Sequence, residues 1–416
     1  MSAMTLRFRS CTLVTLAALL VSSLVSTAET PAKPKVRAIT AFVHIDRDRY
    51  QAQIGEALEV LRQAKTAIEK SGYQVESIRI TTQPFPEYTR GMSKTEALEF
   101  LRKLDQLAVK ESFDPNIGPA MLGDTADASS AELLTDVLST TKLSGSIVIA
   151  GNDGVHWKNL KAAAKLIKAV AERSPRSQGN FNFTASAMLQ PYAPFYPGSY
   201  HTAEGKRFAI GLESANVVTE AFSSGGQPEA VVQRLITALS PHLQAIESIA
   251  HRIEQQSRWM YMGIDTTPVP LKDVSIGEAI EKFTGRSFGS SGTLTASATI
   301  TKAVQSVGVK RVGYSGLMLP VLEDSLLAQR WAEGTYNIDS VLAYSAVCGT
   351  GLDTIPLPGD ITEQQIEKIL ADVASLAVKW GKPLTARLLP VAGKKAGDRT
   401  DFDDPFLVNT VIRPVP

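Results

Sequence analysis

The chain has 416 residues, with 43 Lys and Arg against 42 Asp and Glu, 44% hydrophobic residues and 2 cysteines. Near-neutral charge without a basic stripe excludes the electrostatic footprint of a nucleic-acid binder. The length supports a large core in one or two domains.

Arg7 and Arg9 precede an apolar run from Cys11 to Val25, and Ser26-Thr27-Ala28 presents small residues to a signal peptidase. The run is short for a membrane span, and polar Glu29, Lys33 and Lys35 follow it, so residues 1–28 are expected to be a cleaved signal peptide. The mature chain is then exported, periplasmic or extracellular, and leaves the membrane after cleavage. Residues 29–416 are expected to form a single α/β domain that keeps one cysteine, Cys348, and hence no intramolecular disulfide.

Val36 to Ile45 (VRAITAFVHI) reads as the first strand. A helix follows with Ile54, Leu58, Leu61 and Ile68 on one face, and Gly72 stops it. Val75 to Thr81 (VESIRIT) is a second strand that ends at the PFPEY turn. Ser93 with Glu96 makes a capping box for a helix to about Val109. Ser146 to Ala150 (SIVIA) is a short buried strand before a helix from about His156 to Glu172. This alternation predicts an α/β architecture with parallel strands.

Phe181 to Met188 is a further strand, and LQPYAPFYPGSYH then forms an aromatic, proline-rich loop. A strand over Arg207–Leu212, a long helix over about Pro228–Ser257 and a strand over Trp259–Ile264 follow. Asp265 stands at the C-terminal end of that strand, where α/β sheets gather ligands. Ser275 and Glu278 match a second capping box, and SFGSSGT opens a helix to about Val307. Gly313 to Val321 reads as strand or strand-loop, with Glu323 and Asp324 opening the next helix. Tyr344 to Asp360 (YSAVCGTGLDTIPLPGD) reads as a rigid loop, because glycine and proline dictate backbone shape there. A helix over Glu363–Trp380, a strand over Thr385–Val391, a charged surface loop over 393–405 and a short strand over Val408–Arg413 complete the chain.

Acid–base chemistry needs carboxylates or a histidine at strand ends and tight loops. Asp353, Asp265, Glu213 and His201 occupy such places, and Cys348 is a candidate nucleophile. A buried apolar thiol is the competing role for Cys348, and capping or surface roles compete for each acid. Phe195 and Tyr200 of the aromatic loop, with Gly289, Thr293, Gly349 and Gly351, are candidates for substrate binding. Glu323 and Asp324 are the candidates for a divalent metal, although no H-E-x-x-H or C-x-x-C spacing accompanies them. His44, His156, His242 and His251 carry no local context and read as structural.

RITTQPFPEY, FNFTASAMLQPYAPFYPGSYH, GIDTTPVPLKDVSIGEAIE, FGSSGTLTASATIT, GYSGLMLPVLED and CGTGLDTIPLPGD together resemble the uncharacterised family numbered 711 among domains of unknown function. The resemblance covers nearly all of the mature chain. It implies a ten-stranded-type α/β barrel similar to glycyl-radical enzymes and ribonucleotide reductase, with a central finger loop. In that fold the finger bears the reactive cysteine, which makes CGTGLD its counterpart here. The radical glycine of those enzymes lies near the C-terminus in an R-V-x-G-Y/F context, and nothing after Lys382 matches it. Arg311-Val312-Gly313-Tyr314 lacks the intervening residue, so no glycyl radical is expected. The family brings no agreed activity. The expected function is an exported hydrolase or lyase acting on a small polar or sugar-like molecule. A periplasmic binding or sensing protein without catalysis is the alternative, and self-association stays open.

Overall fold

The computed structural model describes Met1 and residues 32–124, 128–202 and 205–415. The expected signal peptide, Met1 apart, lies outside the described residues. Five strands run parallel side by side: β1 (Lys35–Val43), β2 (Val75–Thr82), β3 (Asp114–Met121), β4 (Ser144–Gly151) and, after the two-residue hairpin strand β5 (Gly154–Val155) on β4, β6 (Phe183–Ala187). β7 (Arg207–Glu213) joins β1 antiparallel, and β8 (Met260–Asp265) lies parallel beside β7. At the other flank β10 (Leu384–Val391) joins β6 antiparallel, with β9 (Gly351–Pro358) parallel beside it. The ten-stranded sheet therefore has the order β8-β7-β1-β2-β3-β4-β6-β10-β9, with β5 off the path.

β8 and β9 are the edges of this ladder, and one irregular segment bonds to both. Ile264 N donates to Lys310 O and Val312 N to Ile264 O at one edge, while Val321 N donates to Asp353 O at the other. The segment predicted as strand or strand-loop is thus a bridge between edges. The result is the expected α/β fold with a ten-stranded sheet; the sheet itself is not closed, and isolated backbone bonds tie its two edges to the same segment.

Twelve helices are described: α1 (Tyr50–Lys70), α2 (Phe85–Thr89), α3 (Lys94–Glu111), α4 (Ser129–Thr140), α5 (Trp157–Arg173), α6 (Ala215–Ser223), α7 (Pro228–Ser257), α8 (Ile276–Thr284), α9 (Thr293–Ser306), α10 (Ser325–Glu333), α11 (Ile338–Tyr344) and α12 (Glu363–Trp380). Their ends follow local chemistry. Ser93 and Glu96 form the predicted capping box of α3, and Thr362 and Gln365 form one for α12. Each such cap is worth about 1 kcal/mol. The α1 stripe of Ile54, Leu58, Leu61 and Ile68 is buried against the outer face of the sheet, where Ile39, Ile80, Ile117 and Ile147 form one core with it. No helix among the described residues is long and apolar enough to cross a membrane.

Two sequence readings need correction. β3 (DPNIGPAM) and α4 lie where no element was predicted, because Pro115, Gly118 and Pro119 read as breakers. The supposed rigid loop after Cys348 is mostly β9. An edge strand tolerates Pro356 and Pro358, since part of its backbone has no ladder partner to lose.

Candidate functional site

Inside the sheet, the face turned away from the helices is polar. Thr40, Thr81, Asn116, Ser146, Thr184, Ser186 and Thr385 are buried on it, where a barrel core would ordinarily be branched and apolar. What fills this lumen is the aromatic loop between β6 and β7. Met188 and Tyr192 adopt left-handed backbone, with φ of 56° and 72°, at its base. Its far end then bonds strand after strand. Thr40 Oγ1 donates to Pro194 O at 2.8 Å, and Asn116 Nδ2 to Pro197 O at 2.7 Å. Thr81 Oγ1 lies 2.8 Å from Ser199 Oγ and donates to Tyr196 Oη at 3.3 Å. Gly211 is bare because any Cβ would strike the Phe195 ring at 2.6 Å. Phe195, expected as a ligand contact, therefore packs against Gly211, while Tyr200 is buried with its hydroxyl donating to Leu189 O at 2.8 Å.

One end of the lumen is a layer of buried charge. In register Lys35 faces Glu213, so the start of β1 and the end of β7 coincide there. Arg37 Nη1 lies 2.5 Å from Glu76 and 3.6 Å from Glu213, and Lys35 reaches both at 3.3 and 3.2 Å. Arg387 of β10 bonds Glu323 at 2.7 Å and Asp353 at 2.9 Å, and stacks 4.6 Å above Phe181. Arg79 stacks on Tyr196 at 4.8 Å, at the far end of the aromatic loop, a finger that reaches into the lumen. Burial, with the adjacent Glu76 carboxylate, pushes Glu213 up to about 7, against the pull of Arg37 and Lys35. Burial likewise raises Asp353 to about 6, with Arg387 opposing and Glu323 reinforcing. Phe406 of the C-terminal segment lies 4.9 Å above Arg37, so the stretch expected as a charged surface loop leads into a lid on this layer.

The other predicted site residues are engaged structurally. Asp265 accepts from Thr267 Oγ1 at 2.6 Å, Tyr314 N at 2.8 Å and Ser315 N at 2.9 Å, clamping the bridging segment to β8. Burial raises its pKa and these bonds oppose the shift. Both oxygens of Asp324 are occupied: Oδ1 accepts from Ser275 Oγ and from Leu326 N and Leu327 N, and Oδ2 from Ile276 N and Gly277 N. It caps α10 and supports the first turn of α8, while Glu323 serves Arg387. The metal expected on this pair therefore has no open oxygen at Asp324, and no group of three or more potential ligands occurs among the described residues.

Cys348 lies outside the barrel wall in the main apolar core, 1% exposed, and Lys382 Nζ donates to its carbonyl and to that of Ser345. It is not on a finger. The glycines expected to admit a ligand admit backbone instead. Gly349 packs on Gly316, where a Cβ would come within 2.6 Å, Gly351 on the Thr385 carbonyl, and Gly289 on the Thr335 carbonyl. Thr293 is buried, with its hydroxyl accepting from Gly289 N. Asp353 and Asp265 do share a neighbour, because both carboxylates raise the pKa of Tyr314 beyond what burial does. Glu213 joins the charged layer, whereas His201 does not.

His201 sits at the opposite end, beside the C-terminal end of β1. It is fully buried, and its ring centroid lies 5.5 Å from Tyr192 and 6.5 Å from His44. Burial, with Arg207 and His44, pushes its pKa down to about 4. At this same end a cleft of about 420 Å³ opens between the end of β4 and the base of the finger. Gly151, Asn152, Asp153 and His156 line one side, and Leu189, Gln190, Tyr200 and Thr202 the other. His156 Nε2 lies 2.9 Å from Asp153 Oδ1 and its Nδ1 3.2 Å from Val148 O, so both ring nitrogens face acceptors. The bond from His156 holds Asp153 below the usual carboxylate range.

The chain matches the family model described as "Uncharacterised ACR (DUF711)" over residues 30–403. The chain belongs to this family. A UPF0210 protein of Pyrobaculum aerophilum is 31% identical over 397 residues, covering 88% of this chain and 86% of its own length. A UPF0210 protein of Oenococcus oeni is 27% identical and covers 80% and 77%, and one of Listeria monocytogenes is 24% identical and covers 86% and 81%. Among solved structures, an anaerobic ribonucleotide reductase aligns with 90% of this chain and 76% of its own at 9% identity and a TM-score of 0.40. The Thermotoga maritima anaerobic ribonucleotide reductase gives the same TM-score at 10% identity, covering 90% and 80%. These two likenesses concern the fold alone.

The finger of this DUF711 chain, residues 188–202, has no cysteine. Sequence reasoning missed the two buried arginines, Arg37 and Arg387, that organise the acids it did find, and Arg79 near them. Their signal was legible: VRAITAFV, VESIRIT and LTARLLPV each carry an arginine inside a strand of branched residues. His156 was also missed, although Asp153 and two flanking glycines in GNDGVH mark a turn carrying a paired imidazole.

Proposed function

We propose that this DUF711 protein takes a small polar molecule into the cleft between β4 and the finger base and acts on it by proton transfer, as a hydrolase or lyase. The observation that carries this reading is the His156–Asp153 pair lining a 420 Å³ cleft, a volume suited to a metabolite-sized ligand. With Nδ1 held at the Val148 carbonyl, Nε2 is the nitrogen that exchanges a proton with a ligand, once the ligand displaces Asp153 from it. The deep carboxylates Glu213 and Asp353 serve the barrel in this view, since arginine and lysine occupy them. The leader-like pattern over residues 1–28 supports action outside the cytoplasm, and a mature N-terminus at Glu29 in the exported protein would bear this out.

The test is turnover and melting-point shift across a panel of small polar metabolites, with Gly151→Leu to fill the cleft and His156→Asn to remove the proton carrier. Gly151→Leu should abolish both readouts, and His156→Asn should keep binding while lowering turnover by about 100-fold or more. Unchanged turnover in both variants sinks the assignment. Both nitrogens of His156 are engaged at rest, which favours a second reading: a binding protein, from which every ligand is recovered unchanged.

A further inference from the structure

The cleft is polarised toward cations. Among the described lining residues none is Lys or Arg, and Arg207, near His201 at this end, stacks 5.2 Å over the Tyr192 ring. α5 starts at the mouth, and a helix N-terminus suits an anion. That seat is filled from within, because Asp124 Oδ1 accepts from Lys158 N at 2.8 Å. The Lys158 side chain is exposed and absent from the lining. Burial, with Tyr192 nearby, raises the Tyr200 phenol to about 12, so it faces the cleft uncharged. What remains is the Asp153–His156 pair. The Asp153 side chain is 71% exposed, within a ligand's reach, while His156 is buried. Gly151 keeps the pair approachable, since a Cβ there would lie 2.7 Å from Asp153 Oδ1 and 3.6 Å from His156 Nε2. Its backbone is outside the left-handed region, so the missing side chain secures space and not a turn. Leu122, Val148, Met188 and Leu189 add an apolar wall.

The resting pair is ionic by geometry. The bond from His156 keeps Asp153 ionised, and a carboxylate, like the Val148 carbonyl, can only accept. The ring nitrogens 2.9 and 3.2 Å from these two acceptors therefore both donate, and the ring is an imidazolium. We propose that the cleft takes a primary amine, whose ammonium replaces the imidazolium as the counter-charge of Asp153 and so drives the Nε2 proton off. This rests on the cleft reading above and names its substrate class. In the exchange the Nε2–H···Oδ1 bond breaks, an N–H···O bond from the ammonium to Asp153 forms, and the Nε2 proton leaves for bulk water. One positive charge enters and one departs. Nε2 is then a free base next to the bound amine, uncovered only when the ligand is present.

The experiment is calorimetric titration of the full-length protein at pH 6, in cacodylate and in MES, whose different ionisation heats count released protons. The probes are n-butylamine and 1,4-diaminobutane, against 1-butanol, 1,4-butanediol, butyrate and inorganic phosphate. Asp153→Asn, His156→Asn and Gly151→Leu are titrated alongside. The expected result is saturable amine binding with release of about one proton, weakened about tenfold or more by Asp153→Asn and abolished by Gly151→Leu. His156→Asn should bind the amine at least as tightly and release no proton, because the resident competitor for Asp153 is gone. If that variant does not fold, the parent's proton count and Asp153→Asn decide. Amine binding that ignores Asp153→Asn, or that releases no proton from the parent, overturns the inference. Binding of only the alcohols or the anions, still abolished by Gly151→Leu, overturns the amine assignment and leaves the cleft reading standing. Binding of nothing, or binding indifferent to Gly151→Leu, defeats both.

Discussion

Replacing Arg387 by Met is expected to cost about 3–5 kcal/mol of stability at pH 8, measured by urea unfolding. Among the described residues the guanidinium is the only cation within bonding distance of both Glu323 and Asp353, at 2.7 and 2.9 Å, and all three side chains are at most 10% exposed. Methionine keeps most of the packing over Phe181 but leaves two buried carboxylates without a counter-charge. Each must then protonate or draw in water, so the loss should shrink as pH falls toward 5. Adding Glu323→Gln and Asp353→Asn to the methionine variant should recover much of the stability, because burying neutral groups is far cheaper than burying unpaired charge. A loss below about 1 kcal/mol would show that the triad is not a buried unit.

The second large effect is a fall in stability with rising pH. The pKa of Glu213 is raised to about 7 and that of Asp353 to about 6 in the folded chain, against ordinary carboxylate values when unfolded. A raised folded pKa means tighter proton binding by the native state. The associated stability is present below about pH 4 and is lost as pH climbs through 6 and 7. Glu76 shifts downward, burial being outweighed by its bonds to Glu213 and Arg37, and so offsets part of this in the acid range. The net expectation is a protein more stable at pH 5 than at pH 8 by on the order of 2 kcal/mol. Glu213→Gln, which mimics the protonated acid, should flatten the profile and exceed the parent at pH 8. A flat profile in the parent, or a less stable glutamine variant at pH 8, would contradict the assigned environment.

Local pattern carried much of the fold. Branched runs marked β1, β2, β4, β7, β8 and β10, and capping residues marked α3 and α8, because those signals act within a few residues. The failures share a cause. β3 and β9 contain prolines and glycines whose tolerance depends on irregular register or an edge position, which only pairing partners decide. The site divides likewise. Asp353 and Glu213 were recognised as unusual acids, but their meaning depends on Arg387 and Arg37, distant in sequence from the acids they meet. Cys348 drew attention through its glycine-rich neighbours, and those glycines turn out to let backbones touch.

The hydrophilic inner face also bears on how the chain is made. When synthesis has passed Ala187, all five parallel strands and helices α1 to α5 exist, while α12 and every strand of the opposing half are still to come. An unfinished half-barrel would ordinarily show the ribosome-side environment a broad greasy surface, an invitation to aggregation. Here the waiting surface offers Thr40, Thr81, Asn116, Ser146 and Ser186, which water can solvate. The next segment off the ribosome is the finger, whose own hydroxyls and carbonyls replace that water. A nascent intermediate of this kind can linger in solution until residues near 391 arrive.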